Sequence, residues 1–460
     1  MQRTILEYCG ESGGNSCGYC KHKDKTGGNN SKEEEHEDED KGTSHSLGLM
    51  AYSLSSSYYL ELMDMGWRRS GKYLYKPTNE ITCCPQYTIR LDVTKFTLSR
   101  SQKRTLRQMN EYLISGKKPR CSVKDEDNKM EEGPKKQETE KKEIEKKEKE
   151  DRPVIKKKEM RRKRFEEKCR LKNLNIEEMK KERVEKEESR RRTIESFIIE
   201  SSESHSHKLE VKLVSTSSEE FQTKNDESYE LYKKYQQTIH KDERASFAGY
   251  RRFLCDSPIS EETDSTGRLK LGSYHLWFLL DNKLIAVSVI DILPRCLSAK
   301  YMFYDPDFSF LSLGTYTALR ELEFTRKYFA INPEIRYYYM GYYIDSCPKM
   351  RYKAKFRPSD LLCDNSFQWI GYESCKELFA DSKETNGYTV FRPDLEPPQP
   401  LPIEDLIVLS NRKLMSYSIY KRRFSNGNED LESVERHLQD LAKKVGPKIP
   451  EAIYYFNELN

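Results

Sequence analysis

Two tight groups of thiols mark the first quarter of the chain. "NSCGYCKHK" sets Cys17 and Cys20 two residues apart among Gly, Ser, Asn and Lys, and "ITCCPQYTIR" sets Cys83 beside Cys84. A CxxC turn lets two thiolates converge on one ion, and a second pair completes a four-sulfur shell for zinc or an iron–sulfur cluster. The Gly-flanked first pair lies on backbone free to wrap a metal. Adjacent cysteines are less usual. Successive side chains on a strand point to opposite faces, so both reach one ion only across a local kink, which Pro85 can supply. The competing reading makes Cys83 and Cys84 small buried apolar residues. A redox CxxC lacks the βαβ pattern it needs.

Elements elsewhere must hold these thiols. The chain has 460 residues with 34% charged and 35% apolar, too polar for one continuous globule. The charge concentrates in 117–202, where "KKQETEKKEIEKKEKE" and "KKKEMRRKRF" leave nothing to bury, so this stretch is expected to be a solvated spacer. It separates a cysteine domain, 1–116, from a second globular domain, 203–460. The formal net charge of +5 neither requires nor excludes nucleic acid, so local patches must decide. The longest apolar run, "LIAVSVIDIL", is strand-sized and no secretory h-region opens the chain, which predicts a cytoplasmic protein, also nuclear, with no membrane association. In a reducing compartment its 12 cysteines favour metal over disulfides.

The local patterns predict an α+β fold: a small metal-stapled first domain, then a mixed sheet flanked by helices. "SSSYYLELMDMG" reads as a capped helix, "GKYLYKP" and "QYTIRLDV" as strands, and "SRSQKRTLRQMNEYLISG" as a basic amphipathic helix ended by Gly116. "YHLWFLLDNKLIAVSVIDIL" reads as a hairpin turning at Asp281-Asn282. "SLGTYTALRELEFTRKYF" is a helix, and "IRYYYMGYYI" a buried aromatic strand.

Several of these segments are long and of unusual composition. "CGYCK", "GWRRSGKYLYKP", "TCCPQYTIR", "RFLCDSPI", "IAVSVIDILPRCLS", "YDPDFSFLSLGTYTALRELEFTR", "YYYMGYYI" and "SCPKMRYKAKFRPSDLLC" together resemble the eukaryotic arginyl-tRNA–protein transferases. The resemblance implies an enzyme that moves arginine from arginyl-tRNA to the α-amine of proteins beginning with Asp, Glu or oxidised Cys, marking them for ubiquitin-dependent degradation by the N-degron route. It implies a GNAT-like acyltransferase fold for the second domain and a metal site, zinc or iron–sulfur, at Cys17, Cys20, Cys83 and Cys84. Two departures stand out. The family's "YIHSCPKM" reads "YIDSCPKM", with Asp345 for His, and "SSVY" becomes Ser298-Ala299-Lys300-Tyr301.

Aminoacyl transfer needs no covalent enzyme intermediate, because the ester is already activated. It needs a neutral α-amine, its alignment with the ester carbonyl, and stabilisation of the oxyanion. Asp291, ending the apolar run "AVSVID", is the candidate to hold or deprotonate the amine, against a structural reading as a turn cap. An acidic first side chain calls for a cation, and "SCPKMRYK" offers Lys349, Arg351 and Lys353. Tyr304 and Tyr339 are candidates for the arginyl and adenosine groups. Phosphates of the tRNA would meet Arg68, Arg69 and Lys72 in "WRRSGKYLYK", and Lys103, Arg104 and Arg107 on one face of the basic helix. Two other readings compete: an acyl-CoA-dependent N-acyltransferase, whose Gly-rich cradle is reduced here to Gly314, and a non-catalytic metal-stapled RNA-binding protein. The partners expected are arginyl-tRNA and acidic N-termini, met by a monomer.

Overall fold

The computed structural model describes residues 3–14, 17–20, 42–118, 192–199, 202–381, 387–399, 402–410, 412–424, 430–445 and 452–455, with short stretches between 164 and 182. Within the charged stretch, 164–167 and 176–179 are helical, and most of the remainder lies outside the described residues. Residues 120–193 form a unit of their own, and the fold below is that of Met1–Pro119 with Ile194–Asn460.

This unit is α+β and carries two sheets. With strands numbered in chain order, the first runs β15 (Lys413–Ser416), β14 (Ile407–Ser410), β16 (Ile453–Tyr455), β1 (Ile5–Gly14), β2 (Gly42–Ser53), β4 (Tyr73–Pro77), β3 (Arg68–Ser70). The second runs β13 (Trp369–Gly371), β12 (Ser359–Leu362), β5 (Tyr87–Asp92), β11 (Tyr337–Tyr343), β10 (Cys296–Tyr304), β9 (Lys283–Leu293), β8 (Lys270–Leu280), β6 (Leu209–Ser215), with β7 (Glu262–Thr263) on β8. The segments 1–116 and 203–460 therefore share both sheets: β5 lies between β12 and β11, and β16 pairs with β1. Composition separates the two segments at the charged stretch, but strand pairing is non-local and joins them.

Local chemistry explains the elements. Helix α1 (Ser56–Met63) starts where the Ser55 hydroxyl accepts from Tyr58 N–H, and α2 (Arg100–Ser115) opens on a reciprocal Ser99/Gln102 capping box. Gly116 closes α2 at φ 68°, a left-handed position a Cβ would strain. Asp281 and Asn282, at φ 50° and 67°, turn the β8–β9 hairpin. β9 alternates in the expected way. Ile290 and Ile292 pack with Leu319 and Leu322 of α4 (Leu313–Ile331), whereas Val287 and Val289 pack with Leu231 and Tyr235 of α3 (Asn225–Tyr235). A third cluster joins α1, Trp67, Tyr339 and the seven-stranded sheet. Among the described residues no helix is long and apolar enough to cross a membrane.

Candidate metal centre and active site

Cys17 and Cys20 lie on the loop after β1, and Cys83 and Cys84 on the bend between β4 and β5. That bend, rather than a strand, lets neighbouring residues aim at one point. All four Sγ atoms lie within 4.8 Å of one another, with Cys20 and Cys83 at 3.3 Å. A single tetrahedral ion with bonds of about 2.3 Å sets its sulfurs about 3.8 Å apart, so the square fits one metal ion. Burial pushes the Cys84 thiol up to about 11, and also raises Cys20. Cys17 moves the other way: against the cost of burial, the backbone N–H groups of Cys20 and Tyr19 lower it. The centre packs against Ile344, Cys347 and Met350, at the end of β11 and the turn that follows.

Asp291 is placed differently from the sequence expectation. Arg69 grips it with one edge of the guanidinium, Nε to Oδ2 at 2.8 Å and Nη2 to Oδ1 at 2.5 Å, and Ser273 Oγ donates to Oδ1 at 2.8 Å. Each side chain of the pair is 1% exposed. Burial would lower the Arg69 guanidinium, but the Asp291 carboxylate outweighs it and holds it above its ordinary value. Asp291 is thus an interior partner of Arg69 and Ser273, and Arg69 is withdrawn from tRNA phosphates. Arg68 is buried too, its guanidinium over the rings of Tyr339 and Tyr342. Of that basic group only Lys72 is exposed, on the rim of an open cleft of about 280 Å³ whose wall includes Arg251, Asp256, Ser257 and Ser273. On α2, Arg104 and Arg107 are exposed and Lys103 is half-buried, so the helix does present a basic face.

The second focus is a gap in the larger sheet. β10 and β11 are parallel and paired only over Cys296–Ser298 with Tyr337–Tyr339. Beyond that point β10 pairs with β9 alone and β11 with β5 alone, and both strands bulge, at Ala299/Tyr301 and at Tyr339/Tyr342. Past Ser298 and Tyr339 the two strands therefore no longer pair with each other. Tyr339 is not among the groups on offer: it is 1% exposed, donates its hydroxyl to Asp64 at 2.5 Å and packs edge-on to Trp369.

The structure does bring Tyr304 and Lys349 to one neighbourhood. Tyr304 is half-buried against Tyr235 at 5.1 Å, Tyr235 meets His240 at 5.3 Å, and His240 is held below its ordinary value by burial and by the charge of Lys349. α3 runs into a π-helical turn, Gln236–His240, that aims these groups. Lys349 and Arg351 are exposed on the short helix Pro348–Arg351, while Lys353 is buried and donates to the Tyr342 carbonyl at 2.7 Å. Burial and the nearby charge of Arg68 pull the Lys353 ammonium down to about 7. Lys300 is a residue sequence reasoning noted only as a departure. It occupies the β10 bulge, donates to the Phe253 carbonyl, and burial drives its ammonium well below the usual lysine range.

The larger sheet thus parts between β10 and β11, and four thiols that could hold a metal ion pack at the end of β11. The description "Arginine-tRNA-protein transferase, N terminus" matches residues 15–104, and "Arginine-tRNA-protein transferase, C terminus" matches 227–363. The chain is 35% identical over 421 residues to arginyl-tRNA–protein transferase 1 of Drosophila melanogaster, covering 80% of this chain and 82% of that one. Against arginyl-tRNA–protein transferase 2 of Arabidopsis thaliana it is 31% identical, over 82% of this chain and 76% of the relative. A shorter match, 39% over 89 residues, joins 19% of this chain to 35% of the aspartate/glutamate leucyltransferase of Campylobacter jejuni. The chain belongs to the arginyl-tRNA–protein transferase family.

Proposed function

We propose that this protein transfers arginine from arginyl-tRNA to the α-amine of proteins with N-terminal Asp, Glu or oxidised Cys, feeding N-degron degradation in the cytoplasm and nucleus. Family membership across both segments carries this reading. The amine nitrogen attacks the ester carbonyl carbon; the C–N bond forms, the ester C–O bond breaks, and the terminal ribose hydroxyl leaves with a proton from the amine. An α-amine of pKa about 7.7–8.0 is neutral in a sizeable minority at physiological pH, so alignment outweighs general-base strength. That agrees with Asp291 being committed to Arg69.

The strand order β8, β9, β10, α4, β11, with one parallel pair that parts, supports a GNAT-like transfer fold. The arginyl end enters at the gap, where Tyr304 and Lys349 flank it and Arg351 reaches the incoming chains. Lys72 and the α2 face, Lys103, Arg104 and Arg107, meet tRNA phosphates, and the 117–202 stretch is a spacer. The metal is zinc, a reading supported by sulfurs close enough for one ion. When bound it supplies a structural staple; Cys17, Cys20, Cys83 and Cys84 would hold it. The protein acts as a monomer. Labelled arginyl-tRNA offered with two peptides differing only in N-terminal Asp or Ala tests the assignment. Label on the Asp peptide alone supports it, and label on neither refutes it.

A further inference from the structure

The open cleft of about 280 Å³ beside Lys72 lies apart from the thiol square and the β10–β11 gap, and three charged side chains on its wall are idle. Among the described residues the side chains of Lys72, Arg251 and Asp256 have no hydrogen bond or ion pair. Glu261, on the same wall, accepts from the hydroxyls of Ser215 and Ser217, which hold its carboxyl below its ordinary value. The wall therefore carries both signs of charge, with two free cations against one free carboxylate.

The chain is arranged to make this opening. Gly71, in the turn from β3 to β4, has φ 62°, and a Cβ there would sit 2.0 Å from the Arg252 carbonyl oxygen. That contact, open only to glycine, presses the turn of Lys72 onto the π-helical turn Arg251–Cys255 and brings both cations to one cleft. Hydroxyls fix the floor. Ser257 Oγ meets Ser273 Oγ at 2.6 Å, and Ser273 Oγ accepts from Arg69 at 3.0 Å while donating to Asp291 at 2.8 Å. The end of β6 is tied to the same strand, because Thr216 gives both its N–H and its hydroxyl to the Ser273 carbonyl, each at 3.3 Å.

Sheet register relates this cleft to the gap. Ser273, Asp291, Ser298 and Tyr339 form one row across β8, β9, β10 and β11, and the gap opens just past Ser298 and Tyr339. Asp291 points with Val287 and Val289 to the face that carries α3, the face on which Tyr304 packs against Tyr235. Two strand spacings, about 10 Å, separate Ser273 from Ser298. An extended chain advances about 3.3 Å per residue, so a polypeptide whose amine lies in the gap reaches the cleft roughly three to five residues later.

We propose that this cleft receives the acceptor polypeptide at about its third to fifth residues, with Arg251 and Lys72 pairing acidic side chains there and Asp256 a basic one. The mixed signs favour a polypeptide over tRNA, because Asp256 and Glu261 would repel a phosphate backbone. Lys72 is reassigned by this, from phosphate contact to the acceptor chain. The proposal rests on transfer to a protein amine, as in the function proposed above.

The test uses the full chain, arginyl-tRNA and two peptides that begin with Asp and differ only in carrying Glu or Lys at positions three to five. Arg251→Glu should lower the Glu/Lys ratio of kcat/KM by about fivefold or more, the scale on which partly exposed charge pairs change when one sign is reversed. The change should lie in KM rather than kcat, since the contact is the same in the ground and transition states. Any general damage to the enzyme, and any attraction of the Lys peptide to tRNA, cancels in the comparison with the wild type. An unmoved ratio overturns the proposal and leaves arginyl transfer standing. A raised KM for arginyl-tRNA with that ratio unmoved would give the cleft to nucleic acid. If the wild type transfers to neither peptide, the transfer reading falls instead, and fluorescence anisotropy of the same peptides without tRNA decides the cleft. A Glu/Lys binding ratio that Arg251→Glu lowers sustains it, and an unmoved one overturns it. Should Arg251→Glu fail to fold, Asp256→Asn must raise the ratio by about twofold, and no rise overturns the proposal.

Discussion

Asp291→Asn separates a structural carboxylate from a catalytic one. The substitution keeps the shape but removes the negative charge that two guanidinium nitrogens of Arg69 and the Ser273 hydroxyl meet at 2.5–2.8 Å. Arg69 would remain in the interior at 1% side-chain exposure with its charge uncompensated. Breaking one partner of such a buried pair costs about 3–5 kcal/mol. In a unit of this size each kcal/mol lowers Tm by roughly 2 °C, so the shift should be roughly 6–10 °C. Replacing both partners, Arg69→Met with Asp291→Leu, leaves no stranded charge and should recover much of that loss. Differential scanning calorimetry on the four proteins of this cycle, paired with arginyl transfer well below each Tm, measures both properties. Asp291→Asn with an unchanged Tm and abolished transfer would refute the reasoning and return Asp291 to the chemistry.

Five further outcomes follow from the same geometry. Cys17→Ser and Cys83→Ser should each lose bound metal by mass spectrometry while Cys169→Ser retains it; equal metal in all three would sink the four-thiol site. Metal retention should fall as pH falls, since protons compete for thiols such as Cys84, whose burial raises it to about 11. Gly71→Ala should destabilise by about 2 kcal/mol or more, because φ is 62° and its Cβ would sit 2.0 Å from the Arg252 carbonyl oxygen; chemical denaturation reads this. Burial raises Glu321 to about 7, so the folded state binds an extra proton between about 4.5 and 7 and loses stability as pH rises through that window, roughly 3 kcal/mol in all; Glu321→Gln should flatten the profile. Arg104→Ala with Arg107→Ala should weaken tRNA binding and lower its salt slope by about 1–2.

Elements carried by local chemistry were legible in the sequence. The Asp281-Asn282 hairpin, the Gly116 stop and the aromatic strand 335–344 all lie where turn residues and periodicity set them. The cysteine square was legible as well, because four thiols in two groups have few other uses. What stayed hidden was pairing over long separations. "WRRSGKYLYK" looks like a phosphate-binding patch, yet the partner that draws Arg69 inward is 222 residues away. The insertion of β5 between β12 and β11 likewise leaves no trace in a local pattern. Lys353 looked like one cation among several in a basic turn. Its burial, and its bond to the Tyr342 carbonyl, appear only once that turn is folded against β11.

The central claim is aminoacyl transfer from tRNA, and the product's chemistry tests it most directly. The purified full chain is mixed with an Asp-initiated peptide and, in separate reactions, arginyl-tRNA, leucyl-tRNA, or acetyl-CoA, and the peptide is sequenced by tandem mass spectrometry. The account predicts one arginine joined by an amide bond to the peptide's α-amine, only with arginyl-tRNA. An unmodified peptide in that reaction, or an acetylated one from acetyl-CoA, would contradict it.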